Sequence, residues 1–402
     1  MAGPVDLAAI VGGKRLRIVA ALSARFGNLD LAEDAFSEAC ARGAALTEAP
    51  RDWAAWLYTA ASRIALDELR HTKVVREHRL GAAETEEGEM GETELIPDRR
   101  LALIFACCHP AIDIVSRVTL ALSTICGFTA EQVARASLLS PAAVSQRLVR
   151  AKRKLAGGGI VFEIPDPRFY GERLEAVLTT LEIAYSRPHS SSATEGSDPL
   201  LARQVLEFAR LLIELLPDEA EVLALAATLH FSEARRGART DADGAMIPLA
   251  EQDPGLWDGE LLNAARHCRS RIGLDNELTP RLIQLELQHA WCARKTAEDA
   301  PPWPRILQLY DRLLELDDNA FARLNRIVAL ERVEGAASAW AEFETLPAGQ
   351  LENVPAYHAV KADLLASRGK LAAARAAYDA AITLQESDAE IRWLTAKRNE
   401  LA

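Results

Sequence analysis

The stretch GFTAEQVARASLLSPAAVSQRLVRAKRKL, residues 127–155, decides how this chain is interpreted. Thr129 followed by Gln132 fits a capping box, in which two side chains satisfy the first free amides of a helix. Ser140 is a favourable N-cap, and Pro141 suits the first position of a second helix because its missing N–H costs nothing there. The sequence therefore predicts two short helices joined by a turn.

The second of these helices has two faces of different character. One face is apolar at helical spacing and is expected to be buried: Val144, Leu148, Ala151 and Leu155. The other face carries polar and basic side chains: Ser145, Gln146, Arg147, Arg150, Lys152 and Arg153. A capped helix, a turn and a second helix of this kind fit the major groove of DNA. A helical hairpin with a solvated basic face has the same pattern, so that alternative stays open.

Charge along the chain supports a nucleic-acid partner for this segment alone. The net charge is −12, which as an average argues against nucleic acid. Residues 98–160 nevertheless have a net charge of +6, residues 1–75 are neutral, and residues 76–97 have a net charge of −5. A basic block inside an acidic chain is the charge pattern expected of a local nucleic-acid-binding surface. The remaining acidic part is not expected to bind DNA.

Other classes of protein are disfavoured by composition. No apolar run approaches the roughly 20 residues of a membrane helix, no signal peptide is visible, and the six cysteines form no CxxC pair, so we expect a cytoplasmic protein. Cys107-Cys108-His109 has no partner pair for a metal, and the glycines at 157–159 lack the lysine of a phosphate loop. The sequence predicts no catalytic site, no metal and no cofactor.

Helical spacing recurs throughout the chain and strand signals are nearly absent, so the sequence predicts an all-α fold. The predicted units are residues 1–75, a glutamate-rich flexible linker at 76–97, residues 98–157, and a helical region at 158–402. In the last region Gly335 and Gly369 lie 34 residues apart, and a period of 34 is typical of stacked helix pairs such as tetratricopeptide repeats. Helix packing without true repeats is the alternative.

Three motifs in order resemble bacterial sigma factors of the extracytoplasmic-function type. LDLAEDAFSEA, Leu29–Ala39, is similar to the family's segment that binds core polymerase, and DWAAWLYTAASRIALDELRH, Asp52–His71, is similar to its −10 segment. The helix pair at 127–155 resembles its −35 module through Ser140, Val144, Arg147, Leu148, Arg150, Ala151 and Lys152. LALIFACCHPAI and Asp241–Asp258 are similar to the subfamily with a long helical C-terminal extension, so the resemblance covers essentially the whole chain.

The resemblance implies a protein that binds core RNA polymerase and promoter DNA. Residues 1–75 would be region 2 of the sigma factor, residues 98–157 region 4, and residues 158–402 a domain that modulates activity or binds a regulatory protein. Polymerase would be bound by the acidic edge Asp30, Glu33, Asp34 and Glu38. The −10 element would be bound by Arg51, Arg63, Arg70, His71 and Lys73. The −35 element would be read by Ser140, Ser145, Gln146, Arg147, Arg150, Lys152 and Arg153.

One departure from the family pattern bears on the −10 contacts. Ser62-Arg63-Ile64 stands where the family usually has Arg-Asn-Arg. Two other functions remain compatible with the residues, namely a stand-alone helix-turn-helix regulator that binds DNA without polymerase, and a helical-repeat scaffold. Co-purification with core polymerase distinguishes the first of these from a sigma factor.

Overall fold

Helices make up almost all of the regular structure. The computed structural model describes residues 7–80, 98–109, 111–125, 127–137, 140–158, 160–186, 199–273 and 276–401. These residues form nineteen α-helices and three short 3-10 helices, and their β pairing is limited to a single bridge between Thr240 and Met246. The predicted all-α fold is confirmed.

The chain divides into two compact units, Met1–Ala184 and Tyr185–Ala402. The units predicted at 1–75 and 98–157 thus belong to one compact body. The boundary predicted after residue 157 lies upstream of the observed one. The third helix continues to Leu80, so residues 76–80 of the predicted linker are helical, whereas 81–97 lie outside the described residues.

The helices of the first unit are α1 Leu7–Phe26, α2 Leu29–Ala44, α3 Trp53–Leu80, α4 Arg100–Cys107, α5 Ile114–Thr124, α6 Ala130–Ser137 and α7 Pro141–Gly157, and α8 Tyr170–Ser186 extends across the boundary. Helices α1, α2 and α3 pack against one another, and α5, α6 and α7 form a second group. Helix α4 lies against α1 and α5, and α2 also contacts α7. The two groups therefore share a continuous body.

Side-chain caps set the start of several of these helices. The Asn28 side chain accepts a hydrogen bond from the Leu31 amide at 3.1 Å and begins α2. The Asp113 side chain accepts one from the Ser116 amide at 3.0 Å and begins α5. Large apolar side chains such as Leu22, Leu57 and Phe105 are fully buried between the helices. Each contributes roughly 1.5–3 kcal/mol through the removal of its surface from water.

The helices of the second unit are α9 Pro199–Leu215, α10 Ala220–Ala234, α11 Gly259–Ser270, α12 Pro280–Trp291, α13 Trp303–Leu316, α14 Ala320–Glu334, α15 Ala336–Phe343, α16 Ala348–Leu351, α17 Pro355–Ser367, α18 Leu371–Leu384 and α19 Asp388–Glu400. Helix α10 packs on α9, α11 and α12, and later helices pair with their neighbours in sequence. Gly335 lies between α14 and α15 with φ +93°, and Gly369 lies between α17 and α18 with φ +72°. The two glycines thus occupy turns between paired helices, where a positive φ favours glycine.

Candidate nucleic-acid interface

The helix pair α6–α7 begins with the caps that the sequence predicts. The Thr129 amide donates to Gln132 Oε1 at 2.8 Å, and the Gln132 amide donates to Thr129 Oγ1 at 3.2 Å, which is a reciprocal capping box. Ser140 Oγ accepts from the Ala143 amide at 3.2 Å, and Pro141 occupies the first turn of α7. Ser140 therefore has a structural role as the cap. Leu138 and Leu139 lie outside the described residues.

The inner face of α7 holds the helix pair in the first unit. Val144, Ala151 and Leu155 are buried, as are Val133 and Ala134 of α6. Leu148 was predicted on the buried face but is only half-buried. The buried strip of α7 is therefore narrower than the sequence predicts.

The outer face of α7 is a continuous exposed stripe, which we call the α7 stripe. Its residues follow one another at helical spacing: Ala142, Ser145, Gln146, Val149, Arg150 and Arg153. Four of them were predicted to touch DNA. Val149 was not, although 56% of its surface is exposed between polar neighbours. A valine that lies off the apolar strip of its helix is the signal that sequence reasoning overlooked.

The remaining basic residues of α7 are engaged within the first unit. Arg147 is half-buried near Asp113. Burial raises the pKa of Asp113, but the hydrogen bonds from Ser116 and the charge of Arg147 outweigh burial and lower it overall. Lys154 Nζ donates to the carbonyl oxygen of Ala111 at 2.8 Å. These side chains anchor α7 to α5 and the loop before it.

Lys152 connects the predicted DNA-binding helix to the predicted polymerase-binding helix. Its Nζ lies 2.7 Å from Glu33 Oε2 and 3.0 Å from Asp30 Oδ1 on α2. The Lys152 and Glu33 side chains are only 25% and 18% exposed. Burial lowers the pKa of Lys152, but the hydrogen bonds and charges of the two carboxylates raise it overall, so the amine is charged at neutral pH. In this structure Lys152 thus faces α2 and lies outside the α7 stripe.

Arg15 extends this contact into a small network and was missed by sequence reasoning. Its Nη2 lies 3.0 Å from Glu33 Oε1, and its Nη1 donates to the carbonyl oxygen of Thr124 at 2.7 Å. Arg15 comes from α1 and Thr124 ends α5, so the arginine joins the two groups of helices. The bridging role of Arg15 could not be recognised from sequence, because an arginine that joins two groups of helices has no local pattern that distinguishes it from a solvated arginine.

The rest of the predicted acidic edge is open to solvent. Asp30, Asp34 and Glu38 are exposed and lie four residues apart along α2, on one face of the helix. Glu38 Oε1 accepts a hydrogen bond from Arg42 at 2.9 Å. The structure brings the four predicted acidic residues together, with Glu33 turned toward Lys152.

The predicted −10 residues lie along α3 and the loop before it. Arg51, Arg63, Arg70 and His71 are exposed, and Lys73 belongs to α3 with a side chain outside the described set. Ser62 is fully buried and its hydroxyl has no hydrogen-bond partner among the described residues, so the departure from the family pattern at this position affects the core. Asp67 lies 3.9 Å from Arg70, which reduces the positive charge of this face.

The thiols of Cys107 and Cys108 are shielded from solvent. Cys107 and Cys108 are fully buried, and burial raises both thiol pKa values, that of Cys108 to about 12. Within the part of the chain that the structure describes, no group of three or more His, Cys, Asp or Glu residues is placed to hold a metal ion. No helix among the described residues is both long enough and apolar enough to span a membrane.

Comparison with known proteins gives a family but no activity. The chain is 34% identical over 411 residues to an uncharacterized protein of Rhizobium meliloti (strain 1021), and the alignment covers 100% of this chain and 96% of the relative. The chain belongs to the family of this Rhizobium protein. Residues 173–272 also match a family described as being of unknown function, DUF6596. No solved structure matches the chain.

Proposed function

We propose that this protein is a sigma factor of the extracytoplasmic-function type. It would bind core RNA polymerase through α2 and direct it to promoters through α3 and α7, with the second unit modulating this activity or binding a regulatory protein. The α7 stripe carries the proposal, because it joins a capped helix-turn-helix to an exposed polar and basic face. A non-enzymatic role follows from this function.

The size of the α7 stripe suits a major groove. From Ser145 to Arg153 the helix rises about 12 Å, which matches the groove width of about 12 Å. Gln146 can form paired hydrogen bonds with adenine, and Arg150 can do so with guanine. Arg153, one turn further on, is placed to contact a phosphate.

Val149 predicts a preference for thymine within the −35 element. Its exposed methyl groups lie between Gln146 and Arg150, where they can pack on a thymine methyl. We expect that replacing the contacted thymine by uracil, which removes only that methyl, weakens binding about three- to tenfold. The same replacement should have no effect on the Val149→Ala variant.

A uracil scan of the −35 duplex, read by fluorescence anisotropy, checks this prediction. The duplex substituted outside the −35 element is the control. If wild-type and Val149→Ala chains respond equally to every substitution, Val149 does not read a methyl group.

The contact between α2 and α7 has a consequence for this mechanism. Asp30 and Glu33 are proposed to meet a basic polymerase surface, and Lys152 is proposed to meet DNA, yet the three side chains bind one another. Both oxygens of Glu33 are engaged, one by Lys152 and one by Arg15, so neither is available to another cation in this geometry. Polymerase or DNA must therefore separate α2 from α7 before these residues can act as proposed.

Run-off transcription with purified core polymerase tests the proposed function. On the promoter upstream of its own gene, the full chain should give a specific transcript that core polymerase alone does not give. Asp34→Lys with Glu38→Lys should abolish that transcript and polymerase co-purification, because both exposed carboxylates become cations of the same sign as the proposed partner surface.

The DNA-binding arm of the experiment separates the alternatives. The Asp34→Lys, Glu38→Lys chain should still bind −35 duplex, because the α7 stripe is unchanged. A wild-type chain that binds duplex but neither co-purifies with polymerase nor supports transcription would be a stand-alone regulator.

A further inference from the structure

A cavity in the second unit has the chemistry of an anion site. It has a volume of about 320 Å³ and is lined by Arg269, Glu286, His289, Ala290, Ala293, Pro302 and Arg305. The lining comes from α11, α12, the loop after α12 and the start of α13. This volume lies at the small end of the range for ligand sites, which suits a compact molecule.

Charge in and around the cavity is positive, although the unit is acidic overall. The Glu286 carboxylate is neutralised by Arg269, whose Nε and Nη2 lie 2.6 and 2.9 Å from its two oxygens. Arg305 is exposed and forms no hydrogen bond or ion pair with the described residues. Arg266 lies nearby and donates to the carbonyl oxygen of Cys292 at 3.3 Å. An uncompensated guanidinium at a cavity rim attracts an anion.

The start of α13 adds a second donor to the same place. The Trp303 amide donates to the Pro301 carbonyl oxygen at 2.9 Å, and Pro304 has no N–H. No side chain caps the helix, so the backbone N–H of Arg305 has no acceptor among the described residues. A free amide at the positive end of a 14-residue helix stabilises a negative group beside it.

His289 supplies a third group that lacks a partner. It is half-buried, its ring packs 5.9 Å from that of Phe231, and neither ring nitrogen forms a hydrogen bond with the described residues. Its ring nitrogens are not fully buried, so they can be reached by a hydrogen-bonding group that occupies the cavity. Burial lowers the pKa of His289, and the charges of Arg269, Arg266 and Arg305 lower it further against the opposing effect of Glu286.

We propose that this cavity binds a small organic anion, a carboxylate or a phosphate monoester with a compact apolar body. The guanidinium and the backbone amide of Arg305 hold the anionic group, and His289 donates to it when protonated. The apolar body packs against Ala290, Ala293 and Pro302. The site gives the second unit a ligand of its own, whether or not the chain is a sigma factor.

The pH dependence of binding follows from His289. Around it lie the cations Arg266, Arg269 and Arg305 and the carboxylate of Glu286, which Arg269 already binds. A bound anion raises the pKa of the imidazole because it favours the charged form. Affinity therefore increases as pH falls through the His289 pKa, by at most about tenfold per pH unit, since one proton is taken up.

Binding of benzoate and phenyl phosphate to the full chain tests the proposal, with NMR of the histidine signals as the readout. The His289 signal is assigned as the one of eight that disappears in His289→Gln. We expect both probes to shift this signal. Inorganic phosphate should bind more weakly because it lacks an apolar body, and neutral benzyl alcohol should bind more weakly because it lacks charge. The stronger of the two probes identifies the carboxylate or phosphate preference. Benzoate stays ionised between about pH 6 and pH 8, so its pH dependence reports on the protein.

Two variants decide the outcome. Arg305→Gln should weaken the binding of benzoate at least about tenfold. The control is Arg312→Gln, which removes an exposed arginine further along α13 that pairs with Glu315 and should leave benzoate binding unchanged. His289→Gln should remove the pH dependence. If neither probe shifts the His289 signal, or if Arg305→Gln binds benzoate as tightly as the wild type, the proposal is wrong.

Discussion

Replacing Arg150 and Arg153 together by alanine should weaken binding to −35 duplex by about 100-fold. Both guanidinium groups are exposed on α7, and neither forms an ion pair within the described residues, so their loss should leave the fold intact. A charge-assisted hydrogen bond contributes about 1.5 kcal/mol, which corresponds to about tenfold in affinity for each residue. The effect is large because both side chains would be desolvated against DNA.

Anisotropy titrations over a range of salt concentrations measure this effect. Removal of the phosphate contact of Arg153 should also reduce the slope of log affinity against log salt by about 1. Arg168→Ala is the control, because Arg168 is 79% exposed in the same unit but lies outside α7. Equal losses in the control and the double variant would mean that net charge, and not the α7 stripe, drives binding.

Lys152→Glu should open the contact between α2 and α7. The new carboxylate would lie beside Asp30 and Glu33, which now bind the Lys152 amine at 3.0 and 2.7 Å. Because this network is only partly exposed, we expect its loss to cost about 1–3 kcal/mol, between the values for surface and buried pairs. Amide hydrogen exchange of α2 and α7 should then accelerate roughly five- to 150-fold, while α18 in the second unit stays unchanged.

Two further variants isolate the ion pair. Lys154→Glu makes the same charge change on the same helix but removes only a hydrogen bond to the Ala111 carbonyl oxygen, so α2 should keep its protection. Asp30→Lys combined with Lys152→Glu restores an attractive pair and should recover part of the protection. If α2 exchanges at the wild-type rate in Lys152→Glu, the network does not hold the two helices together.

Opening this contact also bears on the proposed function. If the α2–α7 contact restrains the chain, Lys152→Glu should bind core polymerase more tightly than the wild type, because Asp30 loses its cation and Glu33 keeps only Arg15. Polymerase binding is the appropriate readout here, because the loss of a cation from α7 would by itself weaken DNA binding. Unchanged or weaker polymerase binding would show that the contact does not limit access to α2.

Local features of the helix pair follow from residues close in sequence. The capping box of Thr129 and Gln132 and the cap at Ser140 depend on groups three residues apart, so their chemistry can be recognised without the fold. Most of the exposed stripe follows in the same way from helical spacing. Leu148 is half-buried where burial was expected, because the packing of α5 and α6 decides how wide the covered strip is.

Domain organisation was harder to predict from sequence. The neutral first block and the basic second block differ in composition, which favoured two separate units, yet both lie in one compact unit. The packing of α1 on α4 and of α2 on α7 joins the two groups of helices. These long-range contacts produce no periodic pattern in the sequence from which they could be predicted.

The sequence by itself determined the all-α fold, the caps of the helix pair α6–α7 and most of the exposed face of α7, because helical spacing and caps are encoded by neighbouring residues. Only the tertiary structure decided which charges are free. Lys152 and Glu33 are 119 positions apart and read as solvent-exposed ions, but the fold places them 2.7 Å apart. Likewise His289 and Arg305 belong to different helices, and only the fold brings them to one cavity. The identity of a charged residue does not show whether its side chain is solvated or paired, because its surroundings depend on packing by residues that are distant in sequence.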